Sequence, residues 1–508
     1  MKISRLLNKR ILVIAILGML AMTACKKKDD GMMPANPTGM LSVSDQVISQ
    51  NSIMVSSVTF DQDGWIVVHA DAGSGPQVPD IISEPVMVKA GTQTDVKVPL
   101  VTGADIHDGD KVWVMLHTDT GVKGTYEFDG SSSSADMPIT DASGNIVMQP
   151  ITISAPSIMA DNQVVDGNMV KIAEVDAAVD GWIVIHNDDG TGNITLPGII
   201  GKTYVNVGMN KDVMIQLDST VQIAPGQKLF PMLHVDDPAN GNYDFPANGD
   251  GPEVFGFNGT DPNILVTSIN VEAPTGSLDV SDQTISQNMI MVSSITMNAA
   301  GWVVVHKDNG SGPVVPGIFS EPVHLDAGTT TNVMIPIKPG TDLMDGESLW
   351  VMLHNDNGSI GTYEFDGASG YDNPIVMNAN IVMTKIKIMV PSIMVSDQAV
   401  VNDQVTLDKV VLAADGWLVV HNDDGTGHIT LPGIIGKVYL EKGEHTNVTI
   451  DLDSSNRYLS GQKLFPMVHL DNPANKEYDF PDNGDNPEVF GFQGNSAPAI
   501  VVTSFNVL

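Results

Sequence analysis

Cysteine is almost absent. The one thiol, Cys25, stands near the N-terminus, so no disulfide can form within the chain. Folded domains here rest on apolar cores of adequate size, not on cross-links. Basic residues are scarce too: 25 Lys and Arg face 61 Asp and Glu, a net charge of −36. Such a surface repels phosphate and excludes nucleic acid as a partner. It favours solubility and attracts divalent cations. Aromatic residues are 5% of the chain, thin material for the ring platforms of a carbohydrate binder. Helix-forming runs are few, and the apolar stretch from Ile11 to Met22 is too short to be a permanent membrane span.

What the chain has is 508 residues with 42% hydrophobic content, enough for several packed domains. Short segments rich in Val, Ile and Thr alternate with clusters of Gly, Pro, Asn and Asp, which predicts an all-β fold. The N-terminus combines Lys2, Arg5, Lys9 and Arg10, the apolar run, and Thr23-Ala24 before Cys25. This is the layout of a secretory leader. Met22-Thr-Ala-Cys25 resembles a bacterial lipobox. That resemblance implies cleavage after residue 24, lipid on Cys25, and residues 25–40 as a flexible tether. Lys26-Lys-Lys-Asp-Asp30 is similar to the surface-export signal of Bacteroidota lipoproteins, which implies the outer membrane and its outward face. Two or more acyl chains hold firmly where one does not.

The rest of the chain repeats. Modules run over 41–153, 154–272, 277–389 and 390–508 and alternate in type, A-B-A-B. Modules one and three share Val-Ser-Asp-Gln (43–46, 280–283) and Gly-Thr-Tyr-Glu-Phe-Asp-Gly (124–130, 361–367). Modules two and four share Thr-Leu-Pro-Gly-Ile-Ile-Gly-Lys (195–202, 430–437) and Pro-Glu-Val-Phe-Gly-Phe (252–257, 487–492). Within a pair no spacer separates the modules at Ala155-Pro156 or Val390-Pro391; between pairs lies the hinge-like 272–277. Seven or eight strand candidates per module, Thr362–Phe365 among them, predict four tandem Ig-like β-sandwiches.

Each module carries two histidines 48 residues apart: His69/His117, His186/His234, His306/His354 and His421/His469. An Asp follows each by two: Asp71, Asp119, Asp188, Asp236, Asp308, Asp356, Asp423 and Asp471. In Trp65-Ile-Val-Val-His69, residues 65, 67 and 69 share a strand face. Trp113, Met115 and His117 share another. With the aromatics in the core and the two strands in facing sheets, both histidines converge at one end of the sandwich. Two readings follow. In one, each His bonds a loop carbonyl or an Asp and locks that end. In the other, His and Asp hold a divalent cation, with Met115, Met232, Met352 and Met467 as soft ligands favouring copper. The acidic pairs Asp119/Glu127, Asp236/Asp244, Asp356/Glu364 and Asp471/Asp479 are a separate calcium candidate.

The recurring residues read, in module four, Asp415-Gly-Trp-Leu-Val-Val-His421, Gly443-Glu-His-Thr-Asn-Val448, Pro466-Met-Val-His-Leu-Asp471 and Tyr478-Asp-Phe480. Across 41–508 they resemble a domain family of unknown function in secreted proteins of halophilic archaea and some bacteria. The resemblance implies an extracellular β-sandwich and lends no catalytic residue. No Ser or Thr recurs beside the histidines as a nucleophile would require. The expectation is a non-enzymatic, surface-anchored repeat lipoprotein. It has no cofactor, or at most a divalent cation. Its role is structural, adhesive or envelope-related, with a cell-surface protein or glycan as partner. The alternative is a metal-binding surface protein.

Overall fold

The computed structural model describes residues 37–482, 484–493 and 497–508. The leader, the lipobox with Cys25 and the tether up to residue 36 lie outside these residues. The tether ends sooner than expected. Gly39–Ser42 is already a strand, paired antiparallel with Phe60–Ser57. Two compact units result, one of residues 51–154 with the segment up to Gln46, the other of residues 155–508 with 47–50.

Every regular element among the described residues is a strand. Module three shows the plan. Gly276–Asp279, Met289–Met297 and Gly328–Pro336 form a three-stranded sheet. Gln283–Thr284, Met383–Met389, Ser348–Asn355, Gly301–Lys307 and Val323–Leu325 form a five-stranded one, in that order. The sheets close on one core, in which Ile290, Val292 and Ile295 meet Val303, Val305, Val351 and Leu353. Met289–Met297 alternates buried with exposed positions, as a strand with one wet face must. Gly301–Lys307 is buried from Gly301 to His306, so both faces of that strand are covered. Modules two and four keep a three-stranded sheet and reduce its partner to four strands, and like module three they carry a separate two-stranded hairpin.

Three expectations are corrected here. The Trp–His strands do not lie in facing sheets. They are antiparallel neighbours in one sheet, with Trp302 opposite His354, Val304 opposite Met352 and His306 opposite Trp350. The aromatic–Met–His row also points away from the sandwich core. In module four Trp417, Val419 and Met467 form a small apolar cluster of their own, outside the main one. Sequence alternation cannot choose between two apolar faces. Thr362–Phe365 is loop, not strand, and its rings help cover this outer face.

The shared Pro-Glu-Val-Phe-Gly-Phe of modules two and four also finds its place. In the second unit Phe490 and Phe492 of module four pack against the core of module three. Beside them the fully buried carboxylate of Glu488 accepts the Ser286 hydroxyl at 2.8 Å and the Gln287 amide at 2.9 Å. Asn288 and Gly491 exchange two further bonds, at 2.7 and 3.1 Å. Residues 47–50 group with the second unit, where Ser49 and Gln50 donate to Glu253 at 2.7 Å each.

Candidate functional site

In each module the two histidines lie on the outer face of the larger sheet, under the two loops that follow the histidine strands. A glycine sets the spacing of those strands. A Cβ on Gly64, Gly181, Gly301 or Gly416 would run into the carbonyl oxygen of the second histidine. The strands therefore approach as closely as backbones allow, and the side chains above them are drawn into one cluster.

Every ring is oriented by its Nδ1. His69 donates to the Asp80 carbonyl at 2.7 Å, His186 to Gly198 at 2.7 Å, His306 to Gly317 at 2.8 Å and His421 to Gly433 at 2.9 Å. The second histidines donate to Asp136 at 2.7 Å, and to Asp250, Asp372 and Asp485 at 2.6 Å. A carbonyl only accepts, so Nδ1 carries the proton and Nε2 is left with a bare lone pair. The paired rings sit 6.0, 6.3, 5.7 and 6.1 Å apart, centre to centre, in modules one to four. Burial holds His117, His234, His354 and His469 down at about 4 and lowers the first histidines as well. The imidazoles are neutral.

Aromatic rings close the site. His354 meets Phe365 at 4.8 Å and Tyr363 at 5.6 Å, and Tyr363 packs edge-on to Trp302 at 5.7 Å. The same contacts recur around His117, His234 and His469.

The carboxylates expected to join the histidines are held elsewhere. Asp71 and Asp308 accept the indole N–H of Trp113 and Trp350 at 2.6 and 2.8 Å. Asp188 and Asp423 accept the backbone N–H of Lys228 and Lys463 at 2.9 and 3.0 Å. Asp119, Asp236, Asp356 and Asp471 accept N–H groups of their own loops, from Gly124, Gly241, Gly361 and Asn475. Their loop partners in the acidic pairs are likewise engaged: Glu127 by the Val122 amide, Asp244 by Asn240. Among the described residues no three His, Cys, Asp or Glu side chains are grouped to hold a metal ion. The expected His–Asp cluster at one end of the sandwich is thus corrected. The histidines lie over the sheet, fastened to carbonyls, while the carboxylates fasten indoles and backbone amides.

Sequence reasoning missed a second set of carboxylates. Asp136, Asp250, Asp372 and Asp485 are fully buried. Asp372 takes the N–H of Asn357 at 2.9 Å and of Glu364 at 2.6 Å while its own carbonyl takes His354. Its φ of 46° turns the loop so that both can happen. Burial raises the pKa of Asp136 and Asp372. The signal was present as Asp-x-Pro in every module, at 136–138, 250–252, 372–374 and 485–487.

The family model described as "Domain of unknown function (DUF7282)" matches residues 39–154, 156–261, 276–389 and 391–500. A curated relative, Cell surface glycoprotein 2 of Haloarcula hispanica, is 24% identical over 265 residues. The alignment covers 49% of this chain and 27% of that glycoprotein. Among solved structures, the I9-I11 tandem of titin is 9% identical at a TM-score of 0.22, covering 70% of this chain and 97% of that one. The SGBP-B protein of the Bacteroides ovatus mixed-linkage glucan utilization locus, in complex with a heptasaccharide, is 11% identical at a TM-score of 0.17, covering 84% and 100%.

Proposed function

The chain belongs to the DUF7282 family four times over, and from that premise we propose a non-catalytic surface repeat protein, lipid-anchored through Cys25 at the outer membrane. Its modules act as a spacer and as contact surface toward a cell-surface protein or glycan. The observation that carries this reading is the use made of the repeated polar residues. His, Asp and the buried second Asp of each module bond that module's own strands and loops and maintain its architecture. The relative named a cell surface glycoprotein supports the same location. Repetition of one module multiplies weak contacts through avidity.

Fractionation and protease shaving of intact cells test the proposal. Wild-type protein should partition with outer membrane and be removed by external protease, and Cys25→Ser should release it from the membrane fraction. Protein that resists external protease, or a Cys25→Ser variant still in the membrane, overturns the anchor. Hydrolysis or group transfer that follows the purified chain overturns the non-catalytic reading.

A further inference from the structure

Of the eight buried Nε2 atoms on the paired histidines, six meet no hydrogen-bond partner: those of His69, His117, His186, His306, His354 and His421. The other two, on His234 and His469, face the thioether sulfurs of Met232 and Met467 at 3.3 and 3.2 Å. A buried acceptor left unpaired carries its full desolvation penalty. The fold repeats this arrangement in every module.

Geometry says what the lone pairs would accept. The two rings of a pair stand on neighbouring strands with the Val/Met pair between them, as Val304 opposite Met352 shows. Nδ1 of each ring is taken by a loop carbonyl, which fixes ring orientation as an outer hydrogen bond does for metal-ligating histidines. With centres 5.7–6.3 Å apart, an ion midway lies about 3 Å from each. That span is within reach of two imidazole–metal bonds of about 2 Å each. The methionine thioethers are buried in all four modules, and in modules two and four they lie against Nε2 of the second histidine as a soft donor. No carboxylate joins them, and the walls are Trp, Tyr and Phe. That setting disfavours a doubly charged ion, whose desolvation nothing repays, and lacks the four N/O ligands that copper(II) prefers.

We propose that each imidazole pair with its thioether binds copper(I), up to four per chain. Module one offers a way in. A groove of about 470 Å³ is lined by Met115, Phe128, Met137 and Met148, so thioethers line the approach to Met115, two residues before His117.

The test uses the full chain, titrated anaerobically with copper(I) against a colorimetric copper(I) chelator, with X-ray absorption on the loaded protein. The expected result is close to four ions per chain, with a shell of about two nitrogens near 2 Å and sulfur near 2.3 Å. Met232→Leu and Met467→Leu preserve packing, and together they should weaken two of the four sites at least tenfold. Fewer than one ion per chain overturns the proposal. So does a shell without imidazole nitrogen, or binding indifferent to both leucine substitutions. The absorption spectrum is read on the wild-type chain, so it decides the matter even where a variant misfolds.

Discussion

An imidazole sealed from water, with its one proton held by a carbonyl, makes stability depend on pH in a definite direction. For His117, His234, His354 and His469 the folded value is about 4, against 6.5 for a free histidine. Between those limits the unfolded chain binds protons that the folded chain refuses. Stability is therefore full above pH 6.5 and falls as the pH drops toward 4, on the order of 3 kcal/mol per module. Urea unfolding at pH 7.5, 5.5 and 4.5 should show the midpoint dropping at each step. A midpoint that rises on acidification means these rings are not buried neutral. The carboxylate beneath matters as much. Asp372→Ala orphans the amides of Asn357 and Glu364 and should cost module three about 2–5 kcal/mol. A calorimetric trace unchanged from wild type would show that the loop does not depend on it.

At the scale of elements, the decisive feature is a sheet covered on both sides. The strand Gly301–Lys307 presents Val303 and Val305 to the sandwich core, and Trp302, Val304 and His306 to the loops outside. Its close approach to Ser348–Asn355 depends on Gly301. Gly301→Ala places a methyl against the His354 carbonyl and should destabilise module three by about 1–3 kcal/mol, as overpacking does. Thermal melting of the variant measures this, and a neutral alanine would mean that the two strands can part without penalty.

Within the second compact unit the modules are joined by buried polar groups. Ser286 and Gln287 saturate Glu488, whose pKa burial raises even so. A double-mutant cycle of Ser286→Ala and Glu488→Ala should yield a coupling energy of about 0.5–3 kcal/mol, because the two sites share one bond. Additive effects would show the clasp to be incidental. Where modules two and three meet, Asp166 is raised to about 7, first by burial and then by the charge of Asp356. A raised carboxylate opposes folding as the pH climbs through 7, since only the folded state holds the extra proton between 3.8 and 7. Asp166→Asn should therefore raise the melting temperature at pH 8 and leave it near wild type at pH 4. A loss at pH 8 would mean that the charged form is bonded and useful.

The amino-acid sequence alone determined the count of modules, their A-B-A-B alternation, the all-β class and which residues share a strand face. These follow from internal repetition and from the period of two along a strand, both of which are local. It also singled out the histidine pairs, because their 48-residue spacing holds while the residues between them vary. Only the tertiary structure decided which face is inside. Trp65-Ile-Val-Val-His69 is apolar on both sides, so alternation is silent there. The answer depends on loops returning from residues 71–82 and 119–138 to cover one side. The same long-range closure separated the carboxylates from the imidazoles, since Asp-x-Pro acts through a backbone carbonyl, which every residue has and no side-chain pattern reveals.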